Sequence, residues 1–240
     1  MKVNYIIFSI LLLLFGIGGC TSWEDPVMQS GTALVPENEE ERARFHYFSI
    51  ISAQSGWYNL MDAYARSNNE LYLKLAARSF NRSWRWNPEN YNAYWGWGVI
   101  RGFQTYHTSD PAKIEELLKQ SISFFEQALE HSIPDDKKNR LFLDMAYSYR
   151  TLGVLWAKMH DNEKSLSFMN KAKELIDIVL KNDPQNARGY FFLSVHYYDQ
   201  KNYKMAKLNA DKAAEYGYEV TEGYKKDLNS LRLLVEKPVK

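Results

Sequence analysis

Three stretches of this chain repeat one spacing of large and small residues, and that self-similarity restricts the fold more than any other feature. Tyr94, Trp97 and Gly98 stand three and one apart, as do Phe142, Met145 and Ala146 with Tyr149 three later, and Tyr190, Leu193 and Ser194 with Tyr197. Such spacing puts an aromatic, a large apolar residue and a small residue along one helical face. Matching second-helix stretches are Ala76, Phe80 and Ser83 before Asn87-Pro88, and Ala172, Ile176 and Val179 before Asp183-Pro184. The last copy has Tyr203, Ala206, Ala210 and Ala213. Proline cannot continue a helix, so the chain must turn at each Asn-Pro or Asp-Pro step. The reading is all-α, a stack of helix pairs over 39–54, 57–66, 70–86, 91–106, 111–131, 136–159, 162–181, 187–199 and 203–216. Ser109-Asp110-Pro111 is a start signal for the fifth, with Asp110 as cap and Pro111 in the first turn. A last helix over 221–235, with Leu228, Leu231 and Leu234 on one side and Lys225, Lys226 and Arg232 elsewhere, is the polar-backed cap that a stack of repeats needs.

These residues resemble the tetratricopeptide repeat over roughly 57–220, most of the chain that follows the leader. A small residue stands where its paired helices cross, and Asn87-Pro88-Glu89-Asn90 and Asp183-Pro184-Gln185-Asn186 look like its inter-repeat turns. The resemblance implies a helix-pair solenoid over 39–220 and a capping helix and tail over 221–240. The chain departs from the pattern in three ways. The copies starting near Tyr91 and Asn139 exceed the usual 34 residues by about ten, near His107–Pro111 and near Thr151–Lys158. Tyr64 takes the small-residue position of the first pair. Arg101 stands where tyrosine is expected.

In tetratricopeptide proteins the first helix of each pair lines a concave groove for a peptide or partner helix. Carried over position by position, that groove comprises Asn92, Trp95 and Val99, then Arg140, Asp144, Tyr147 and Arg150, then Arg188, Phe191, Val195 and Tyr198. The lysine-asparagine pattern of repeats that clamp a free carboxyl terminus is not reproduced. Aromatic rings mixed with arginines are nevertheless what interface hot spots favour. Trp95 is equally suited to burial against the neighbouring repeat.

Cys20 is the one cysteine. Before it come Lys2, the apolar block from Ile6 to Phe15 and the small residues Gly16, Gly18 and Gly19, which together read as a secretory signal too short to span a bilayer permanently. Ile17-Gly18-Gly19-Cys20 resembles the lipobox of bacterial lipoproteins. That resemblance implies removal of residues 1–19 and lipidation of Cys20, with 20–38 as a lipidated, flexible tether. Two or three acyl chains, at about 0.8 kcal/mol per buried methylene, hold a protein almost permanently. The absence of aspartate at Thr21 favours the outer membrane of a double-membrane bacterium.

Lys and Arg number 30 against 29 Asp and Glu, and the leader contains Lys2, so the remaining chain is balanced. Nucleic acid is therefore not the expected partner, since phosphate binding needs a basic surplus or stripe. No cofactor or metal is expected: histidines 46, 107, 131, 160 and 196 are scattered, without a ligand at metal-binding helical spacing. His107, His131 and His160 fall near expected helix ends, where contact with the helix dipole explains them. No nucleophile motif suggests an enzyme. In Trp95-Gly96-Trp97-Gly98 the expected role of Trp97 and Gly98 is packing. The expected function is an envelope-anchored interaction scaffold or accessory factor with a protein or peptide partner. The alternative is an envelope binding protein that takes a small ligand or glycan on the aromatic groove.

Overall fold

The computed structural model of the chain describes residues 32–67, 69–226 and 228, and among these every regular element is helical. Cys20, the leader 1–19 and most of the expected tether lie outside the described residues, as does most of the expected helix 221–235, of which 222–226 are helical. The end of the tether is fixed: Leu34 N donates to Arg85 O at 2.8 Å.

Eight long helices follow among the described residues: α1 Glu39–Trp57, α2 Glu70–Trp86, α3 Tyr91–Gln104, α4 Pro111–Leu129, α5 Asp135–Lys158, α6 Asn162–Asn182, α7 Ala187–Asp199 and α8 Tyr203–Glu215. Each except α5 starts on an Asn or Asp whose side chain accepts a first-turn N–H, satisfying a donor that the helix leaves orphaned. Asp110 does so for α4, accepting from Ala112 N at 3.0 Å, with Pro111 in the first turn. At α5, Pro134 holds the cap position and Asp135 and Asp136 supply first-turn negative charge.

The expected break at 55–56 is absent. α1 runs on through a π-helical stretch, Tyr58–Tyr64, into a last turn, Ala65–Ser67. Gly56 does not end a helix here, because its missing side chain is used for packing. A Cβ at Gly56 would stand 2.7 Å from the Phe80 ring. Phe80 is also pressed against α3, where a Cβ at Gly96 would stand 2.3 Å away. The small residue of the first helix pair is thus Gly56, and Tyr64 lies a further two turns along. The same device recurs where Gly98 meets Phe125, at 2.4 Å from a would-be Cβ. Of the two extra lengths, the one near Thr151–Lys158 is helix within the 24 residues of α5, and the one near His107–Pro111 is a 3-10 turn, Thr105–His107, and a non-helical link to the Asp110 cap.

Each helix packs on the next, and α1, α3, α5 and α7 also contact one another in series, forming a continuous row. The two Pro turns are superimposable in their bonding. Asn87 O accepts from Asn90 N at 3.1 Å and Asp183 O from Asn186 N at 3.0 Å, while the Asn87 and Asp183 side chains accept from Glu89 N and Gln185 N. The core follows the same linear order. One apolar cluster spans α1 to α5, a second joins α5, α6 and α7, and a third joins α7 and α8 to Val220 and Leu228. Tyr149 and Leu175 pack against the first and second, and Tyr197 against the second and third, so burial is contiguous although no single centre exists. Ala146 and Ala172 share the second cluster, and Ala206 and Ala210 the third.

Candidate functional site

A ladder of polar and aromatic contacts crosses the row formed by α1, α3, α5 and α7. Trp57 Nε1 of α1 donates to Asn92 Oδ1 of α3 at 3.2 Å, and the Trp57 ring meets the Trp95 ring edge-on at 5.2 Å. Trp95 Nε1 donates to Asp144 Oδ2 of α5 at 3.0 Å, and Arg188 Nη2 of α7 donates to Asp144 Oδ1 at 2.7 Å. Asp144 therefore ties three helices together with its two oxygens. Further along, Arg150 of α5 grips the Asp199 carboxylate with Nε and Nη2, a two-pronged pairing that fixes orientation as well as charge.

The sequence-expected groove residues divide into four groups. Asn92, Trp95, Asp144, Arg150 and Arg188 come together as the ladder just described. Trp95, only 3 % exposed, is a buried strut and not an open contact surface. Arg140 stays exposed, its guanidinium 5.7 Å from the centre of the Trp95 ring. Val99 and Tyr147 line an open cleft with Asp144 and Arg188.

The remaining three residues sit elsewhere. Phe191 stacks on Tyr218 at 4.4 Å and Tyr198 packs on Tyr203 and Tyr224, so both belong to the apolar cluster at the C-terminal end. Tyr198, expected on the groove, packs instead in this cluster because the chain after α8 folds back over that side of α7. Val195 is part-buried and is not among the cleft residues.

The cleft has a volume of about 260 Å³. Its walls are Val99 and Phe103 from the end of α3, Tyr106 from the 3-10 turn that follows, Tyr147 from α5, and Phe192 from α7. The Tyr106 and Tyr147 hydroxyls bond to each other at the rim. At the floor lie Ser121 and Ser148, 2.9 Å apart through their hydroxyls, with Ser121 also donating to Gly98 O at 2.7 Å. Gly102 keeps the space open: a Cβ there would meet nothing nearer than Ser121 Oγ at 3.9 Å. Phe103 and Tyr106 escaped the sequence reading although they continue the Asn92, Trp95 and Val99 face by three- and four-residue steps. Phe192 escaped it because Arg188 and Phe192, four apart, define the cleft side of α7, with the guanidinium 5.3 Å from the ring centre.

Three of the histidines have partners beyond helix dipoles. His107 joins three segments, with Nε2 2.7 Å from the Tyr64 hydroxyl and Nδ1 3.1 Å from Glu70 Oε1. His131 stacks on Tyr94 at 4.9 Å. His196 is buried, with Nε2 3.0 Å from the Gln200 amide nitrogen, and desolvation holds its pKa below the ordinary histidine value. No described helix is long and apolar enough to cross a membrane. Among the described residues no three His, Cys, Asp or Glu side chains converge as metal ligands.

No protein-family model matches this chain, and a search of curated proteins finds no match.

Proposed function

We propose that this chain is a lipid-anchored envelope scaffold of tetratricopeptide type, which receives a segment of a partner protein along the α1, α3, α5 and α7 row. The observation that carries this reading is the cleft of Val99, Phe103, Tyr106, Tyr147 and Phe192, to which three successive odd-numbered helices contribute. Arg188 lines it, paired with Asp144, and the exposed Arg140 lies over the Trp95 ring next along the row. Aromatic walls flanked by arginines suit a peptide anchor residue with an acidic neighbour. The cleft volume favours a protein segment over a free glycan. At about 260 Å³ it is smaller than the roughly 300–1,000 Å³ of pockets that engulf whole small ligands, and is matched to one or two side chains. The small-ligand alternative draws on the Ser121 and Ser148 hydroxyls at the floor, which suit a polar group. Repeated helix pairs, matching Pro turns and a linear core support the tetratricopeptide reading.

The test is a pull-down from detergent-solubilised envelope, run with the parent chain and with Gly102→Leu. That side chain fills the cleft from a position with room for it, so folding should survive by circular dichroism. A stoichiometric protein partner retained by the parent and lost by Gly102→Leu is the expected result. An unchanged partner set moves the binding surface elsewhere, and ligand-dependent thermal stabilisation without a protein partner favours the small-ligand reading. Anchoring is tested separately. Cys20→Ser should lose all incorporation of a fatty-acid analogue and its tight membrane association, and equal labelling of both chains would refute it.

A further inference from the structure

α1 is covered on one side by the described chain and carries tyrosine, isoleucine and methionine on the opposite, exposed side. Its inward positions are small, with Ser49, Ser52, Ala53 and Gly56 buried against α2 and α3. Phe45 and Phe48 pack on Trp86 and Trp57 on Phe80 and Trp95, while a second set of residues points outward. Ala43, Tyr47, Ile50, Gln54 and Tyr58, spaced by four, three, four and four, are all exposed, and Met61 follows within the π-helical stretch. Tyr47 is 61 % and Tyr58 64 % exposed. A line of exposed apolar side chains along a helix marks a contact surface.

We infer that this line is the interface with a second copy of the chain, the two α1 helices lying antiparallel about a two-fold axis at Gln54. The charges choose the occupant and its direction. Each end of the line holds an acid followed four residues later by a base, Glu40 with Arg44 at 3.6 Å and Asp62 with Arg66 at 3.4 Å. Counted from Gln54, Glu40 lies 14 residues before and Arg66 12 after, and Arg44 10 before and Asp62 8 after, offsets of two residues that the long arginine side chains span. Antiparallel pairing therefore sets Glu40 of each copy beside Arg66 of the other and Arg44 beside Asp62, twice by symmetry. Parallel pairing would set each charge against its like. On the axis, a glutamine amide supplies both donor and acceptor to its own copy, and one polar residue in an apolar seam fixes register. Ile50 then meets Tyr58 of the second copy. A bilayer suits this surface poorly: Gln54 interrupts the line at its middle, and Glu39, Glu40 and Glu41 at its start oppose anionic lipid, where interfacial helices are rich in Lys and Arg. One helix face buries less than the roughly 800 Å² per partner of a standard interface, so the dimer is weak and cross-linking is the suitable readout.

Facing helices packed about 8–10 Å apart bring axial Cα atoms to about 3.5–5.5 Å, within disulfide reach. In the full chain, whose one native cysteine is Cys20, Gln54→Cys should form a covalent dimer under mild oxidation, well above the parent. Ala43→Cys should not, because its own copy lies about 33 Å away. In the Gln54→Cys background, Arg44→Asp should reduce the dimer at least tenfold, and adding Asp62→Arg should restore it, with helix content unchanged by circular dichroism. A monomeric Gln54→Cys chain overturns the proposal, as does self-cross-linking of Ala43→Cys. If its thiol is instead shielded from a maleimide only when vesicles of phosphatidylethanolamine and phosphatidylglycerol are added, a lipid surface is the occupant. If the thiol is shielded without lipid in a monomer, residues 1–31 of the chain itself cover the line. Either result equally overturns the dimer.

Discussion

Asp144→Ala should cost far more than removal of a surface carboxylate, because one side chain holds three helices. Its Oδ2 takes the Trp95 indole N–H at 3.0 Å, and Trp95 is only 3 % exposed, so truncation leaves a buried donor unpaired. That loss costs about 1–3 kcal/mol. The bond to Arg188 adds less: the arginine side chain is 36 % exposed and the aspartate 16 %, so solvent screening limits the pair to about 1 kcal/mol. The sum is about 2–4 kcal/mol, or a fall in Tm of about 5–15 °C for a chain of this size. Urea unfolding of Asp144→Ala, Trp95→Phe, Arg188→Ala and the Asp144/Trp95 double variant measures the terms separately. Trp95→Phe removes the orphaned donor while keeping most of the ring, so the double variant should be more stable than the two single losses added, by about 1 kcal/mol or more. An Asp144→Ala cost within about 0.5 kcal/mol of the parent would refute the bridging role, since that is the scale of an inert surface change. Strict additivity with Trp95→Phe would show that the indole finds another acceptor.

Two further outcomes follow from packing and burial. Gly96→Ala should destabilise by about 1–3 kcal/mol because its Cβ would stand 2.3 Å from the Phe80 ring, and Ala146→Leu, buried between α5 and α6, should do the same. Lys173→Leu, at an exposed pair with Asp177, should melt near the parent, and equal melting of all three would disprove the helix register. Burial, reinforced by Lys173 and Arg150 and opposed by Asp199 and Asp177, holds His196 below the ordinary histidine pKa, so the folded chain binds fewer protons than the unfolded one. Stability should therefore be level above about pH 6.5 and fall as pH drops below it. His196→Leu should flatten part of that fall, and an unchanged Tm difference between pH 7.5 and 5 would assign the pH dependence to other groups.

The sequence by itself determined that the chain is all-α, where most helices begin, and the small packing residues of most of its helices. Local rules suffice for these features. Asp110 caps α4 whatever packs above it, Pro88 and Pro184 end helices by their own chemistry, and the three- and four-residue rhythm of Phe142, Met145, Ala146 and Tyr149 needs no partner to be seen. Tertiary structure decided what local rules leave open. Ser55-Gly56 reads as a break until Phe80 is seen filling the space that Gly56 leaves. Asp144 looks like any half-exposed acid until Trp95 and Arg188, 49 and 44 residues away along the chain, arrive at its two oxygens. Phe191 and Phe192 are indistinguishable as neighbours, yet Tyr218 and Tyr224 returning across α7 bury the first and leave the second to the cleft. A helix face is written in periodicity, but whether it meets solvent, a ligand or another helix depends on chain segments distant in sequence. Only their arrival in space settles which polar atoms are paired and which rings are covered.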